Sequence, residues 1–136
     1  MEWRQLREGE IDHELIWLSV SGTSLGMATA WLKSPLPLPA CVFHQLTGMP
    51  CPACGATRCV RDFIGGHFAA AFAWNPLVFC ALTGIIVFDF YALAVLLFRL
   101  PRARLSITSG TVANALRFAA VALVATNWLY LIGAGR

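Results

Sequence analysis

The chain is poor in charged residues, and those it has are not arranged for binding nucleic acid. Only 12% of its 136 residues are charged, against about 25% in a typical soluble domain. Lys33 is its one lysine, and the nine arginines form no long basic run and do not alternate with aromatic residues. With 58% hydrophobic residues, the chain cannot cover its own surface with polar groups. The composition argues against a soluble domain and a nucleic-acid partner, and favours the lipid bilayer as solvent.

The sequence also lacks the residue sets that common catalytic sites need. It has no nucleophile with a neighbouring base, no paired carboxylates for acid–base chemistry, and no glycine loop of the kind that holds phosphate. Its length suits one domain, residues 1–136. We therefore expect a small protein without an active site.

Three long apolar runs predict an all-α integral membrane protein with three transmembrane helices. About 20 apolar residues cross a bilayer as a helix. The predicted spans are residues 15–32, 76–98 and 112–132, with a polar segment at 1–14 and a basic loop at 99–111. The second span has a good start signal, because Asn75 can cap the helix and Pro76 suits its first position.

The first span carries small residues on one helical face, including a Gly22/Gly26 pair that lets another helix approach closely. Two interpretations are open: packing within this bundle, or docking onto a separate membrane protein. The Ala28-Thr29-Ala30 triplet resembles a signal-peptide cleavage site. The residues before it are acidic, however, so we expect the segment to be retained as a membrane helix.

Residues 33–74, between the first two spans, are too interrupted to cross a membrane. Four prolines predict a stiff, non-helical connection over residues 33–50, within a Cys/His loop at 33–55. Residues 56–74 predict one or two short interfacial or re-entrant helices, broken at Gly65-Gly66. Arginines near the N-terminus and in the 99–111 loop predict a cytoplasmic N-terminus and an extracytoplasmic Cys/His loop.

The Cys/His loop contains two chelating pairs, Cys41-x2-His44 and Cys51-x2-Cys54, separated by six residues. A two-residue spacing lets both side chains of a pair reach one ion from a single turn. Three thiolates and an imidazole match a closed, tetrahedral structural zinc site. Iron is a second interpretation, since thiolates also hold it.

Two other states of these cysteines stay open from the sequence. Cys51 and Cys54 could form a disulfide or a redox-active thiol pair, or the cysteines could stay reduced and unliganded in a strained turn. Cys80 lies in an apolar run, so we expect it to be a small buried hydrophobic residue.

Several polar residues outside the cysteines are candidates for binding. Arg58 and Arg61 are one turn apart and, with Thr57, could contact a lipid phosphate, a negatively charged metal–thiolate cluster or a protein partner. The two arginines could also pair with Asp62 and nearby carbonyls. The spans contain three further polar residues of interest: Asp89, Arg117 and Asn127. A lone Asp within the bilayer needs a partner or a proton, and Arg117 is the partner we expect.

The core Cys51-Pro-Ala-Cys-Gly-Ala-Thr-Arg58 resembles the CPxCGxTR motif of small bacterial membrane proteins in the DUF2752 family. Upstream, Cys41, His44 and the Leu46-Thr47-Gly48 triplet resemble the same family, as does the stretch from Gly66 to Leu77. Cys59 departs from it, because an alanine is usual there, and supplies a spare thiol. The resemblance implies a bacterial membrane protein but no activity.

These observations predict a non-catalytic protein of the bacterial cytoplasmic membrane, an accessory or assembly subunit that contacts other membrane proteins. A thiol–disulfide redox protein and a lipid- or ion-handling protein are the alternatives.

Overall fold

The computed structural model describes residues 2–4, 12–34, 41–98, 102–104 and 110–135. Three of its helices are long and apolar enough to cross a membrane: α1 (His13–Lys33), α5 (Pro76–Phe98) and α6 (Gly110–Gly133). Their mean hydropathies are 1.3, 2.2 and 1.6. At about 1.5 Å per residue, each covers a hydrocarbon core of about 30 Å. The chain is a helical, multi-pass membrane protein, as predicted.

Each transmembrane helix begins close to its predicted start. Helix α1 starts at His13 because Asp12 caps it, accepting the Leu15 N–H at 3.1 Å on its carboxylate. Helix α5 starts at Pro76, and the Asn75 Oδ1 accepts the Val78 N–H at 3.1 Å. The predicted Asn-Pro start of the second span is therefore present in the structure.

Three short helices connect α1 to α5: α2 (Val42–Thr47), α3 (Ala56–Ile64) and α4 (Phe68–Trp74). The last two are the short helices predicted within residues 56–74. Helix α2 was not predicted, and the non-helical interpretation of residues 33–50 is wrong at this point. A six-residue helix fits between Pro39 and Pro50 because Gly48, at φ +70°, ends it and donates its N–H to the His44 carbonyl.

Helix α5 is the centre of the bundle. It packs against α1, α3, α4 and α6. Helices α3 and α4 pack on each other and on the first turn of α5 through edge-to-face aromatic contacts of Phe63 and Phe72 with Phe79, each with centroids 5.5 Å apart. Helices α3 and α4 are thereby held at the N-terminal end of α5.

The small-residue face of α1 does not pack within the bundle. A Cβ added at Gly22 or Gly26 would meet nothing within 4 Å. Ser19, Thr23 and Ala30, on the same face, are also exposed. Of the two interpretations of this face, packing against a helix of the described bundle is wrong.

Two three-residue strands, β1 (Glu2–Arg4) and β2 (Arg102–Arg104), pair in antiparallel register with Trp3 opposite Ala103. The pairing joins the segment before α1 to the segment between α5 and α6, so the two lie at the same end of the bundle. Local periodicity did not reveal it because the paired residues are about 100 positions apart. Residues 5–11, the prolines at 35, 37 and 39, and Arg99 lie outside the described residues.

Candidate metal centre

Three cysteine sulfurs converge at one end of the bundle. The Sγ atoms of Cys41, Cys51 and Cys54 all lie within 4.8 Å of one another. The Cys41 and Cys51 sulfurs are 3.4 Å apart, and no disulfide joins them. Sulfurs that share a tetrahedral zinc at about 2.3 Å are about 3.8 Å apart. The three thiols therefore have nearly the spacing that a bound zinc requires.

Two local structures bring these sulfurs together. Cys41 is the N-cap residue of α2. Cys51 and Cys54 flank a tight turn in which the Cys54 N–H donates to the Cys51 carbonyl at 2.9 Å. The chain leaves this turn at Gly55, whose φ of +79° disfavours residues with a side chain. A Cβ at Gly55 would also lie 3.0 Å from the Trp74 carbonyl oxygen, so the close approach of α4 adds a second requirement for glycine.

Two buried asparagines hold the Cys51–Cys54 turn against the transmembrane helices. The Nδ2 of Asn75 donates to the carbonyls of Pro52, at 3.2 Å, and Cys54, at 3.0 Å. The Nδ2 of Asn127, on α6, donates to the same Pro52 carbonyl at 3.1 Å. The Asn127 Oδ1 in turn accepts the Leu77 N–H of α5 at 3.1 Å. Both amides therefore join the turn to the helix ends, and Pro52 is their common acceptor.

Helix α6 adds two hydrogen bonds near the same turn. The indole N–H of Trp128 donates to the carbonyl of the buried Pro50 at 2.7 Å, and the Tyr130 hydroxyl donates to the Ala73 carbonyl at 2.9 Å. The cysteine turn is thus attached to α6 and to Asn75 at the junction of α4 and α5, and α6 is attached to α4. A ligand that cross-links the three sulfurs would also fix these helix ends relative to one another.

The environments of the three sulfurs are not equivalent. Backbone N–H groups of α2, chiefly that of His44, lower the pKa of Cys41, and its contact with Cys51 adds to the effect. Burial raises the pKa of Cys51, and the neighbouring Cys41 sulfur raises it further. Thiolates crowded in this way repel one another, and a divalent cation between them would relieve that repulsion.

Residues 41–89 match the model of a family described as "Protein of unknown function (DUF2752)". The match confirms the family resemblance predicted from the motif at Cys51–Arg58. No curated protein and no solved structure matches the chain. The DUF2752 segment contains all three converging sulfurs and Asn75, whereas Asn127 and Trp128 lie beyond it. The contacts that secure the DUF2752 motif thus come partly from a helix outside the matched residues.

His44 differs from the other predicted metal ligands. Its imidazole is exposed, and its ring nitrogens are not part of the group within 4.8 Å. Its backbone N–H acts on the Cys41 sulfur instead. The structure therefore shows three of the four predicted ligands together, and His44 near them in the chain but not among them.

The predicted polar contacts of the motif lie on α3. Thr57 is half-buried, and Arg58 and Arg61 are exposed. The Arg58 guanidinium carbon lies 4.6 Å from the centroid of the Trp74 ring, a cation–π contact. This contact places the exposed Arg58 side chain of α3 against Trp74 of α4.

The two remaining cysteines are separate from the cluster. Cys59 is fully buried, with its sulfur 3.8 Å from the Asn75 carbonyl, and burial followed by the charge of Asp62 raises its pKa. Cys80 is exposed on α5, so the expectation that it is buried is wrong. Its side chain lies on a surface of α5 that the described helices leave uncovered, which the local apolar pattern could not show.

The intramembrane polar residues have partners other than those expected. Asp89 is hydrogen-bonded to Ser21 of α1, with the two oxygens 2.6 Å apart. Arg117, its expected partner, donates to Asn114 one turn away on α6, at 3.3 Å. The Asp89–Arg117 pair is therefore not formed. Asn127, by contrast, belongs to the site, because it binds the cysteine turn.

The roles of Asn75 and Trp128 at the site are not evident from the sequence. Asn75 was identified only as a helix cap, and its Nδ2 contacts are to residues more than 20 positions upstream. Trp128 gave no signal, because an interfacial tryptophan is common in any membrane helix.

Proposed function

We propose that this protein is a non-catalytic membrane subunit in which a zinc ion, held by Cys41, Cys51 and Cys54, locks the Cys51–Cys54 turn to the ends of the transmembrane helices. The observation that carries the proposal is the convergence of three sulfurs within 4.8 Å. Two thiols suffice for a disulfide, whereas three at this spacing suit a metal ion. Thiolate is also the ligand that zinc prefers in structural sites.

The fourth zinc ligand in this proposal is His44, the nearest imidazole in the chain to the cysteine cluster. It lies in α2, three residues after Cys41. Structural zinc sites use four protein ligands, whereas three ligands leave a position open to water. Replacement of His44 separates these two cases.

The test of zinc binding is elemental analysis of the protein purified in detergent, beside two variants. Wild type is expected to carry one zinc per chain, and Cys51→Ser/Cys54→Ser none. Cys80→Ser is the matched control, because its exposed thiol lies on α5 away from the cluster, and it should keep the zinc. Equal metal content in all these proteins would overturn the metal site.

The His44→Ala variant tests the fourth ligand. A loss of zinc, or its faster release to a chelator, supports a Cys3His site. Unchanged zinc content and release rate would show that the three cysteines hold the ion without this histidine.

The accessory role rests on the exposed small-residue face of α1, formed by Ser19, Gly22, Thr23, Gly26 and Ala30. Small residues let two membrane helices approach closely, and within the described bundle nothing packs on this face. We propose that a helix of another membrane protein packs there, with the cysteine turn on the extracytoplasmic side of a bacterial cytoplasmic membrane.

Site-specific photo-crosslinking in native membranes tests this docking. A probe at Thr23 should yield one discrete protein adduct, which Gly26→Ile should abolish. Ser24→Ile, on the opposite and exposed side of α1, is the control and should leave the adduct unchanged. Lipid adducts alone from the Thr23 probe would contradict the accessory role.

A thiol redox protein is the second candidate, and the 3.4 Å contact between the Cys41 and Cys51 sulfurs favours it. An external disulfide would oxidise the two thiols to a Cys41–Cys51 disulfide and would itself be reduced to two thiols, taking up the two electrons and two protons. The predicted redox pair, Cys51 and Cys54, belongs to the same cluster. Thiol alkylation with and without reductant distinguishes the two candidates. If the cysteines of a zinc-free protein resist alkylation until a reductant is added, the result supports redox chemistry over the metal site.

A further inference from the structure

Asp89 is a carboxyl group placed deep inside the membrane. It lies 13 residues after Pro76 and nine before Phe98, or about 20 Å and about 13 Å from the two ends of α5. Its Oδ1 is 2.6 Å from the Oγ of Ser21, across the seam between α1 and α5. The carboxyl is therefore well inside the hydrocarbon region and makes its contact with a helix that precedes the DUF2752 segment.

The hydrogen atoms available at this seam indicate which group donates. Ser21 Oγ lies near three oxygens: Asp89 Oδ1 at 2.6 Å, the Trp17 carbonyl at 2.8 Å and the Leu18 carbonyl at 3.3 Å. A serine hydroxyl has one proton and two lone pairs. If Asp89 were ionised, its carboxylate would compete with two carbonyls for that one proton. If Asp89 is protonated, it donates to Ser21, and Ser21 donates to Trp17.

The described surroundings offer an ionised Asp89 carboxylate no positively charged partner at this depth in the membrane. Grooves of about 430 and 170 Å³ flank Asp89 on its two sides. Apart from Asp89 itself, the described residues that line them include no charged or titratable side chain: Trp17, Leu18 and Ser21 from α1, and Ala81, Gly84, Ile85, Ile86, Phe88, Phe90 and Leu93 from α5. An unpaired charge at this depth is costly, and a neutral carboxylic acid is much less so.

From these observations we infer that Asp89 is a membrane-embedded proton-binding site. The carboxylic acid holds its proton and donates it to Ser21, so that the chain Asp89–Ser21–Trp17 joins α5 to α1. The proton is the ligand of this site, and binding it completes the contact between the two helices. The inference does not depend on the metal site, and none of its tests measures metal.

Labelling with a hydrophobic carbodiimide in lipid vesicles tests the protonation state. The reagent takes the proton of a carboxylic acid onto its nitrogen, and the carboxylate oxygen then attacks its central carbon to give an acylisourea, which rearranges to a stable N-acylurea. After labelling at neutral pH, mass analysis of the peptides should locate this adduct on Asp89. Asp89→Asn, which keeps the size and a donor toward Ser21, should lose it while keeping the helix content of wild type.

Infrared spectroscopy is the second measurement, because it needs no access for a reagent. Wild type should show the carbonyl stretch of a protonated carboxylic acid, which Asp89→Asn removes and Ser21→Ala shifts by deleting its hydrogen-bond partner. Asp62, a half-buried carboxyl on α3 outside the membrane spans, is the control, and Asp62→Asn should leave the band unchanged. Absence of a band sensitive to Asp89→Asn would overturn the inference.

Discussion

The buried amide of Asn75 gives the sharpest test of how the cysteine turn is held. Replacing Asn75 by alanine removes three hydrogen bonds: the cap on the Val78 N–H and the donors to the Pro52 and Cys54 carbonyls. Loss of the cap costs about 1 kcal/mol. The Pro52 carbonyl keeps its bond from Asn127, but the Cys54 carbonyl is left without its amide donor, at about 1–3 kcal/mol. The free energy of unfolding should therefore fall by about 2–4 kcal/mol.

Denaturation in mixed micelles, followed by far-ultraviolet circular dichroism, measures this loss. Asn114→Ala is the matched control, since Asn114 is exposed on α6 and binds only Arg117 in the described structure. It should change the unfolding free energy by no more than about 0.5 kcal/mol. If Asn75→Ala cost no more than the control, the turn would not be held by buried amide hydrogen bonds, and the reasoning would be refuted.

Three further predictions follow from the same contacts. In a double-mutant cycle, Asn75→Ala/Asn127→Ala should lower the free energy of unfolding by about 1 kcal/mol more than the sum of the two single variants. The reason is that only the double variant removes both hydrogen-bond donors from the Pro52 carbonyl. Strict additivity would show that the shared carbonyl is unimportant. Gly55→Ala should lower the free energy of unfolding by at least about 1–2 kcal/mol, because the residue has a φ of +79° and its Cβ would contact Trp74. Gly22→Ala, which has open space around it, should not lower the free energy of unfolding. Alkylation followed by mass spectrometry should label Cys59 only after unfolding, because its thiol is fully buried, and labelling in the folded protein would contradict its position.

Much of the architecture follows from local features of the sequence. The bilayer has one dominant requirement, a helix of about 20 apolar residues with its backbone hydrogen bonds satisfied internally. Residues 76–98 meet it so directly that the predicted and observed bounds of α5 agree. The cap at Asn75 and the two chelating pairs are also short-range patterns, so spacing along the chain selected Cys41, Cys51 and Cys54, although it selected His44 with them.

Only the tertiary structure decided which groups that are distant in the chain become partners. It separates the His44 ring from the sulfurs, joins Asp89 to Ser21 and not to Arg117, and leaves Gly22 and Gly26 open. It also brings Asn127 to a carbonyl 75 positions upstream. Residue type and spacing show what a side chain can bind, but its partner depends on how α1 and α6 rotate and tilt against α5. That packing is a property of the whole bundle, and no local pattern encodes it.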